Sequence, residues 1–354
     1  MAVNSIKMLI SKENLIHNVK FLESSYGKKI LPVLKANAYG HGIRVVSELL
    51  YDEGYKEFAV ARLNEAEKIL RNKKLKDCRI LVFETIGEEF FDTVKKYPSI
   101  DVTANTFAEL EELINNGIPS ERIQLKIDFG FGRNGIGEED IEKLKKFIDK
   151  RNFFFRGIYS HLYAVEYDEG SILINKFSDI VKYLGKEKFQ MIHMQNSVGI
   201  LFYGSCEIMT HLRPGIYVYG LQEEGFFHKG LKQVFSLEGN IASVRDISHS
   251  KYLAYNPKKE LGAENCLFAA KIKIGYGEGF VKANENSCCI INGKSYRILL
   301  VTMDNTFIEA DETVKEGDRV ILYPDASAVR KDTGLHICEV LPVISSRIER
   351  IIRK

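Results

Sequence analysis

No stretch of this sequence approaches the ~18 uninterrupted apolar residues that a membrane-spanning helix needs, and the region after Met1 lacks an apolar core of signal-peptide length. A cytoplasmic protein is expected. Charge of one sign is missing too: 50 basic residues face 48 acidic ones, for a net charge of +2. Nothing therefore draws the chain as a whole to nucleic acid or a membrane surface, and the expected partner is a small molecule. Cysteine is sparse and unpatterned. Cys78, Cys206, Cys266, Cys288, Cys289 and Cys338 fall without CxxC spacing, which argues against a zinc site and against a disulfide framework. No metal is expected. Low-complexity tracts and proline-rich linkers are absent as well.

What is present is 354 residues with 45% hydrophobic content, enough for more than one core. Ser11 can cap a helix carrying Leu15, Val19 and Leu22 on one face, and Gly27 can end it. Strand-like apolar runs then begin near Ile30, Glu57, Arg79, Ile100, Ile123, Phe155, Gln190 and Arg213. Amphipathic helical segments intervene at 43–50, 63–70, 88–96, 107–115 behind Thr106, 138–150 and 172–184. Alternation of this kind predicts parallel strands, and a count of eight predicts a closed (β/α)8 barrel, with an open doubly wound sheet as the alternative. From about residue 233 the pattern turns to β-type runs at 234–244, 266–274, 288–291, 296–303, 319–323 and 337–343, punctuated by Asn292-Gly293 and Glu316-Gly317-Asp318. The expected organisation is a barrel domain over 1–232, with an N-terminal strand that could join the second domain, and a mainly β domain over 233–354.

One lysine stands where an apolar run meets a glycine-punctuated loop, in Leu31-Pro-Val-Leu-Lys35-Ala-Asn-Ala-Tyr39-Gly-His-Gly42. At the C-terminal end of a buried strand, desolvation lowers a lysine's pKa and frees its amine to attack a carbonyl, the chemistry of a Schiff base. Other unusual polar residues fall at the same end of later strands: Lys126 and Arg133 at the fifth, His161 at the sixth, Asn196-Ser197 at the seventh, and Arg213-Pro-Gly215-Ile216 at the eighth. Barrel active sites lie at that end, and the loops after strands seven and eight commonly bind phosphate. Singly, His161 is more often a hydrogen-bonded core histidine, Arg213 a structural ion-pair member and Ser197 a helix cap; their joint position is what points to a site.

These motifs closely resemble those of the alanine racemase family, from Leu31 to the last strand. The resemblance implies fold type III and pyridoxal 5′-phosphate on Lys35. Tyr39, Asn196, Ser197, Gly215 and Ile216 match the cofactor-binding positions, with Tyr39, Ser197 and the two backbone amides on the phosphate. Arg213 matches the arginine on the pyridine nitrogen, with His161 orienting it, and Arg133 matches the arginine shared by cofactor and substrate. Lys126 matches a lysine that is often carbamylated. In the second domain, Lys273-Ile-Gly-Tyr276-Gly-Glu-Gly279 is similar to the segment bearing the second catalytic base, and Met303-Asp304 to the pair lining the substrate pocket. The implied function is two-base racemisation of L-alanine to D-alanine for peptidoglycan, in a homodimer whose active sites are shared.

Departures from the family pattern bear on the substrate. Phe129 and Phe131 replace Thr and Met, Gly277-Glu278 replaces Ala-Asp, and Leu253-Ala-Tyr-Asn256 stands where many members have Gly-Tyr-Gly. Ser346 stands where many have a tyrosine closing the pocket, so the alternative is a racemase of broader or shifted specificity, serine included. Phe129, Phe131 or the 253–256 segment could instead refill that gap. A non-catalytic protein that binds the cofactor for homeostasis would lack the second domain and its tyrosine. A decarboxylase of basic amino acids would carry an acid where Arg213 stands.

Overall fold

The computed structural model describes residues 6–163, 167–222 and 227–353, and the backbone alone at Tyr167. Six parallel strands, Glu57–Val60, Arg79–Val82, Ile100–Ala104, Ile123–Lys126, Phe155–Tyr159 and Phe189–His193, lie side by side in sequence order. The pair Lys29–Ile30 and His211–Leu212 closes the ring. Leu34 N–H donates to Ala59 at 2.8 Å on one side of that pair, and Thr210 N–H donates to Ile192 at 2.9 Å on the other. The result is the expected (β/α)8 barrel. Its strands are buried almost throughout, as a parallel sheet covered by helices requires.

The helices follow from local signals. Ser11 Oγ accepts from Asn14 N–H at 3.1 Å, and Gly27 ends that helix at φ 61°. Thr106 caps Phe107–Asn115 in the same way. At the N-terminal end of the barrel, buried Arg156 pairs with Asp101 at 2.9 Å and with Glu57. Arg79 also pairs with Asp101, and His211 approaches Glu57 at 3.4 Å. This cluster plugs one mouth and leaves the other for chemistry.

The second sheet has nine strands, in the order Ser243–Asp246, Phe268–Ile272, Thr306–Ala310, Lys294–Val301, Cys288–Ile291, Arg319–Leu322, Phe235–Asn240, Lys7–Ser11 and Glu349–Arg353. Every pairing is antiparallel except that of Lys7–Ser11 with Glu349–Arg353. Asn292 and Gly293, at φ 49° and 85°, form the tight hairpin their sequence predicts. Two expectations fail. The run 234–244 is two strands, Phe235–Asn240 and Ser243–Asp246, that sit far apart in the sheet. The run 337–343 is no strand: Ile337–Val340 is a helical turn, because His336 Nδ1 accepts from Cys338 N–H at 3.0 Å while Glu339 returns to His336 N–H at 2.8 Å.

Candidate active site

Lys35 opens a five-residue turn, Lys35–Tyr39, in which Ala36, Asn37, Ala38 and Tyr39 all have positive φ, from 49° to 56°. L-residues in the left-handed region cost about 1–2 kcal/mol each, so such a run stands only if its surroundings impose it. Several ties do so. Asn37 N–H donates to Glu65 at 3.4 Å, and Asn37 Oδ1 accepts from Ile43 N–H at 3.0 Å. His41 Nδ1 lies 3.0 Å from the carbonyls of both Ala38 and Tyr39, which selects the Nδ1–H tautomer. Burial pushes that imidazole down to about 4, so it is neutral at physiological pH. The Gly40 carbonyl accepts from Arg350 Nε and Nη2 at 3.2 and 3.0 Å. Gly40 itself sits at φ 85°, and a Cβ there would fall 2.2 Å from the Leu341 carbonyl oxygen.

The turn delivers Lys35 and Tyr39 to a cavity of about 540 Å³ at the C-terminal mouth of the barrel. Lys126 and Arg133 reach it from strand five, His161 from strand six, and Asn196 and Ser197 from strand seven; Arg213, Gly215 and Ile216 enter from strand eight. Lys35 is open to solvent at the mouth. The protein packed behind it nevertheless lowers its pKa, helped by the Arg213 and Arg133 cations. Burial, then the same two arginines, brings Lys126 down to about 8. His161 is held neutral at about 2, by burial first and then Arg213 and Arg133.

Arg213 is buried, and its Nη2 donates to the Ser160 carbonyl at 2.8 Å and the Met194 carbonyl at 3.5 Å. His161 Nε2 meets Asn196 Nδ2 at 3.2 Å, and His161 Nδ1 has no hydrogen-bond partner among the described residues. Arg213 Nε is buried with no partner among the described residues. The rings of Phe83 and Tyr159 flank the guanidinium, each centroid 5.2 Å away. Asn196, not Ser197, caps the helix Ser197–Tyr203. Ser197 Oγ instead accepts from Gly215 and Tyr217 N–H at 3.1 and 3.4 Å. Gly215 is tight: a Cβ would lie 2.3 Å from the Tyr39 hydroxyl.

Tyr276, Met303, Asp304 and Ser346 are not in this cavity. Tyr276 is 48% exposed, and its N–H donates to Thr302 while Gly277 N–H donates to Met303. Met303 and Asp304 form the hairpin tip between Lys294–Val301 and Thr306–Ala310. Ser345 N–H donates to Glu278 at 2.9 Å, which brings exposed Ser346 to the same patch. Phe129 is turned away, packed against Phe177 at 6.4 Å, and Ala254 and Tyr255 form an exposed tip between Tyr252–Leu253 and Asn256–Pro257. Neither lines the cavity.

Phe83, Tyr159 and the tie through Glu65 and Arg350 escape a motif-by-motif reading. Tyr159 could have been found from strand alternation: Thr103 and Tyr159, hydrogen-bonded at 2.9 Å inside the barrel, share the inward phase with His161.

Residues 10–223 match the family described as alanine racemase, N-terminal domain, and 234–352 match alanine racemase, C-terminal domain. Alanine racemase from Chlorobaculum tepidum is 28% identical over 99% of this chain and 96% of the relative, and that from Fusobacterium nucleatum is 29% identical over 97% and 98%. Among solved structures, alanine racemase from E. faecalis superposes with a TM-score of 0.85 at 22% identity, covering 100% of both chains. Alanine racemase from Bartonella henselae, solved with covalently bound pyridoxal phosphate, superposes with a TM-score of 0.80 at 20% identity, again over 100% of both. The chain belongs to the alanine racemase family, whose members are pyridoxal-phosphate-dependent isomerases.

Proposed function

We propose that this chain interconverts L- and D-alanine with pyridoxal 5′-phosphate held on Lys35, and that Lys35 and Tyr276 are the two bases. The residues present fit the cofactor. An aldehyde needs a neutral amine, and Lys35 has a lowered pKa. A pyridine nitrogen needs a donor, and buried Arg213 Nε has none of its hydrogen-bonding capacity spent among the described residues. A phosphate needs hydroxyls and backbone N–H groups, and Tyr39, Ser197 and Ile216 offer them in the cavity, with Asn196 alongside and with Gly215, whose N–H a phosphate would have to draw from Ser197 Oγ. The orphaned Arg213 Nε in one cavity with Lys35 is the observation that carries the proposal.

Bound there, the cofactor would withdraw electrons from the substrate's α-carbon and make its α-hydrogen acidic. The chain does the rest. Lys35 takes or returns the proton on one face, serving the D-enantiomer, and the Tyr276 hydroxyl serves the L-enantiomer on the other. Arg213, still cationic at neutral pH with a pKa of about 10, offers only donors, so a pyridine nitrogen bound against it would carry no proton. Such an arrangement would limit electron withdrawal and disfavour side reactions such as transamination. Arg133 would hold the substrate carboxylate and, with the cofactor bound, its phenolic oxygen. Lys126, at about 8, is neutral often enough to add carbon dioxide, which would place an anion beside Arg133.

Tyr276 lies outside its own chain's cavity, which supports a second copy bringing it. In a head-to-tail homodimer the patch of Tyr276, Met303, Asp304 and Ser346 would cover the partner copy's Lys35, and a monomer would be inactive. The enzyme would work in the cytoplasm, supplying D-alanine for peptidoglycan. Ser346 favours a second reading, in which serine is also turned over, because no ring closes this patch at that position. The test is borohydride reduction followed by peptide mapping, with a chiral assay alongside. The cofactor should be fixed on Lys35 and D-alanine should form from L-alanine; a label on another lysine, or no D-alanine with cofactor present, overturns the proposal.

A further inference from the structure

We propose that Phe131 is the positioning residue for Arg133: its ring, stacked against His161 and Tyr163, seats the guanidinium that receives the substrate carboxylate. This rests on the role given to Arg133 above.

The loop is fixed from below. Asp128 Oδ1 accepts from the N–H groups of Gly130 and Phe131 at 3.1 and 2.8 Å, and Oδ2 from those of Gly132 and Arg133 at 3.0 and 3.2 Å. One carboxylate thus pins four consecutive backbone donors and sets where both side chains depart. The Phe131 ring stacks on His161 at 5.2 Å and 29°, and on Tyr163 at 5.2 Å and 15°. The Arg133 guanidinium carbon lies 4.6 Å from the Phe131 centroid. Among the described residues that guanidinium has no hydrogen-bond acceptor and no carboxylate within ion-pair distance; its backbone N–H alone is paired. Lys126 shares the cavity, and while it is an unmodified ammonium it is a like charge that pushes the guanidinium away. A long, exposed cation with one attractive contact takes its direction from that contact, and an aromatic face attracts a guanidinium through its quadrupole. Because His161 is neutral, the stack adds no second charge beside Arg133.

The experiment uses the cofactor-loaded protein as wild type, Phe131→Met, Phe131→Leu, Phe131→Tyr, Arg133→Ala and the double variant Phe131→Met/Arg133→Ala. It reads KM and kcat for L-alanine, the Kd of acetate as a carboxylate probe, and the visible absorbance of the bound cofactor. Methionine keeps the volume and removes the π face, so KM and acetate Kd should rise about threefold to thirtyfold. Absorbance should not move, kcat should fall less than KM rises, and Phe131→Tyr should restore both constants. In the Arg133→Ala background the Phe131→Met effect should vanish, since a residue acting only through Arg133 has nothing left to act on. An effect that persists in that background means Phe131 serves the fold and overturns the proposal. So does an acetate Kd indifferent to Phe131→Met and Phe131→Leu but tightened by bicarbonate, which would assign the seat to a carbamate on Lys126. If wild type makes no D-alanine, the racemase proposal fails while the acetate constants still decide the role of Phe131.

Discussion

Gly40→Ala tests how the Lys35 turn is braced. Gly40 has φ 85°, and an added Cβ would meet the Leu341 carbonyl oxygen at 2.2 Å, its carbon at 2.6 Å and Pro342 N at 3.1 Å. All three are backbone atoms of the segment carrying Arg350, so none can swing aside. A left-handed alanine costs about 1–2 kcal/mol and overpacking of this kind about 1–3 kcal/mol more, giving about 2–5 kcal/mol in total. Gly54→Ala is the control, because Gly54 has φ 93° but nothing within 4 Å of its added Cβ, so only the conformational part applies. Urea unfolding of the cofactor-free variants should therefore show a clearly larger fall in midpoint for Gly40→Ala. Shifting Gly40 also pulls its carbonyl from Arg350 and relaxes the left-handed run behind Lys35, so cofactor affinity should fall about tenfold or more in Gly40→Ala alone. Equal midpoints and equal cofactor affinities in the two variants would refute the idea that Leu341 braces the turn.

Tyr276→Phe should keep the cofactor's absorbance yet lose racemisation, with solvent hydrogen exchange at the α-carbon of L-alanine falling more than that of D-alanine. Equal loss for both enantiomers, with the dimer intact, contradicts the division of labour. Ser346→Tyr should lower the ratio of kcat/KM for L-serine over L-alanine by about tenfold, since one small group is discriminated by ~1–3 kcal/mol of packing; an unchanged ratio with cofactor bound removes Ser346 from the specificity argument. Lys126 has a folded-state pKa of about 8 against an ordinary 10.5, so the unfolded chain binds the extra proton between these values and stability rises with pH across that window. Lys126→Met, compared with wild type by urea unfolding of the cofactor-free protein, should flatten that rise by about 1–3 kcal/mol, and parallel profiles would show that the lysine is not desolvated.

The elements legible in the sequence are those whose cause is local. Leu63–Leu70 and Phe107–Asn115 begin and end at the expected residues because apolar spacing and, for the second, a threonine cap decide them within a dozen positions. The strand ends bearing Lys35, Lys126, His161 and Arg213 were legible for the same reason, and eight parallel strands send them to one mouth. Residues 337–343 misled because Ile-Cys-Glu-Val-Leu is apolar enough for a strand, while the deciding hydrogen bonds come from His336 and Glu339. Glu349–Arg353 pairs with Lys7–Ser11 across almost the whole chain, and a partnership that distant leaves no local trace. The left-handed turn at Ala36 to Tyr39 runs against the preference of each residue in it, so only contacts from Glu65 and Arg350 could have disclosed it.

Residues 341–350 touch both halves of the proposed chemistry. Leu341 and Arg350 hold Gly40 and thereby the turn that carries Lys35. Ser345 and Arg347 hold Glu278, through a backbone hydrogen bond and a 3.2 Å ion pair, and Gly279 packs so closely on Val343 that its Cβ would lie 2.0 Å from that carbonyl. Glu278 and Gly279 belong to the turn that presents Tyr276 outward. One segment of each chain therefore touches both the turn that carries its lysine and the turn that exposes its tyrosine. In the proposed homodimer the separation of the two bases is then set by this ten-residue segment and one interface. A substitution anywhere in the segment should disturb the lysine of one active site and the tyrosine of the other together, which makes racemisation far more sensitive to it than cofactor binding alone.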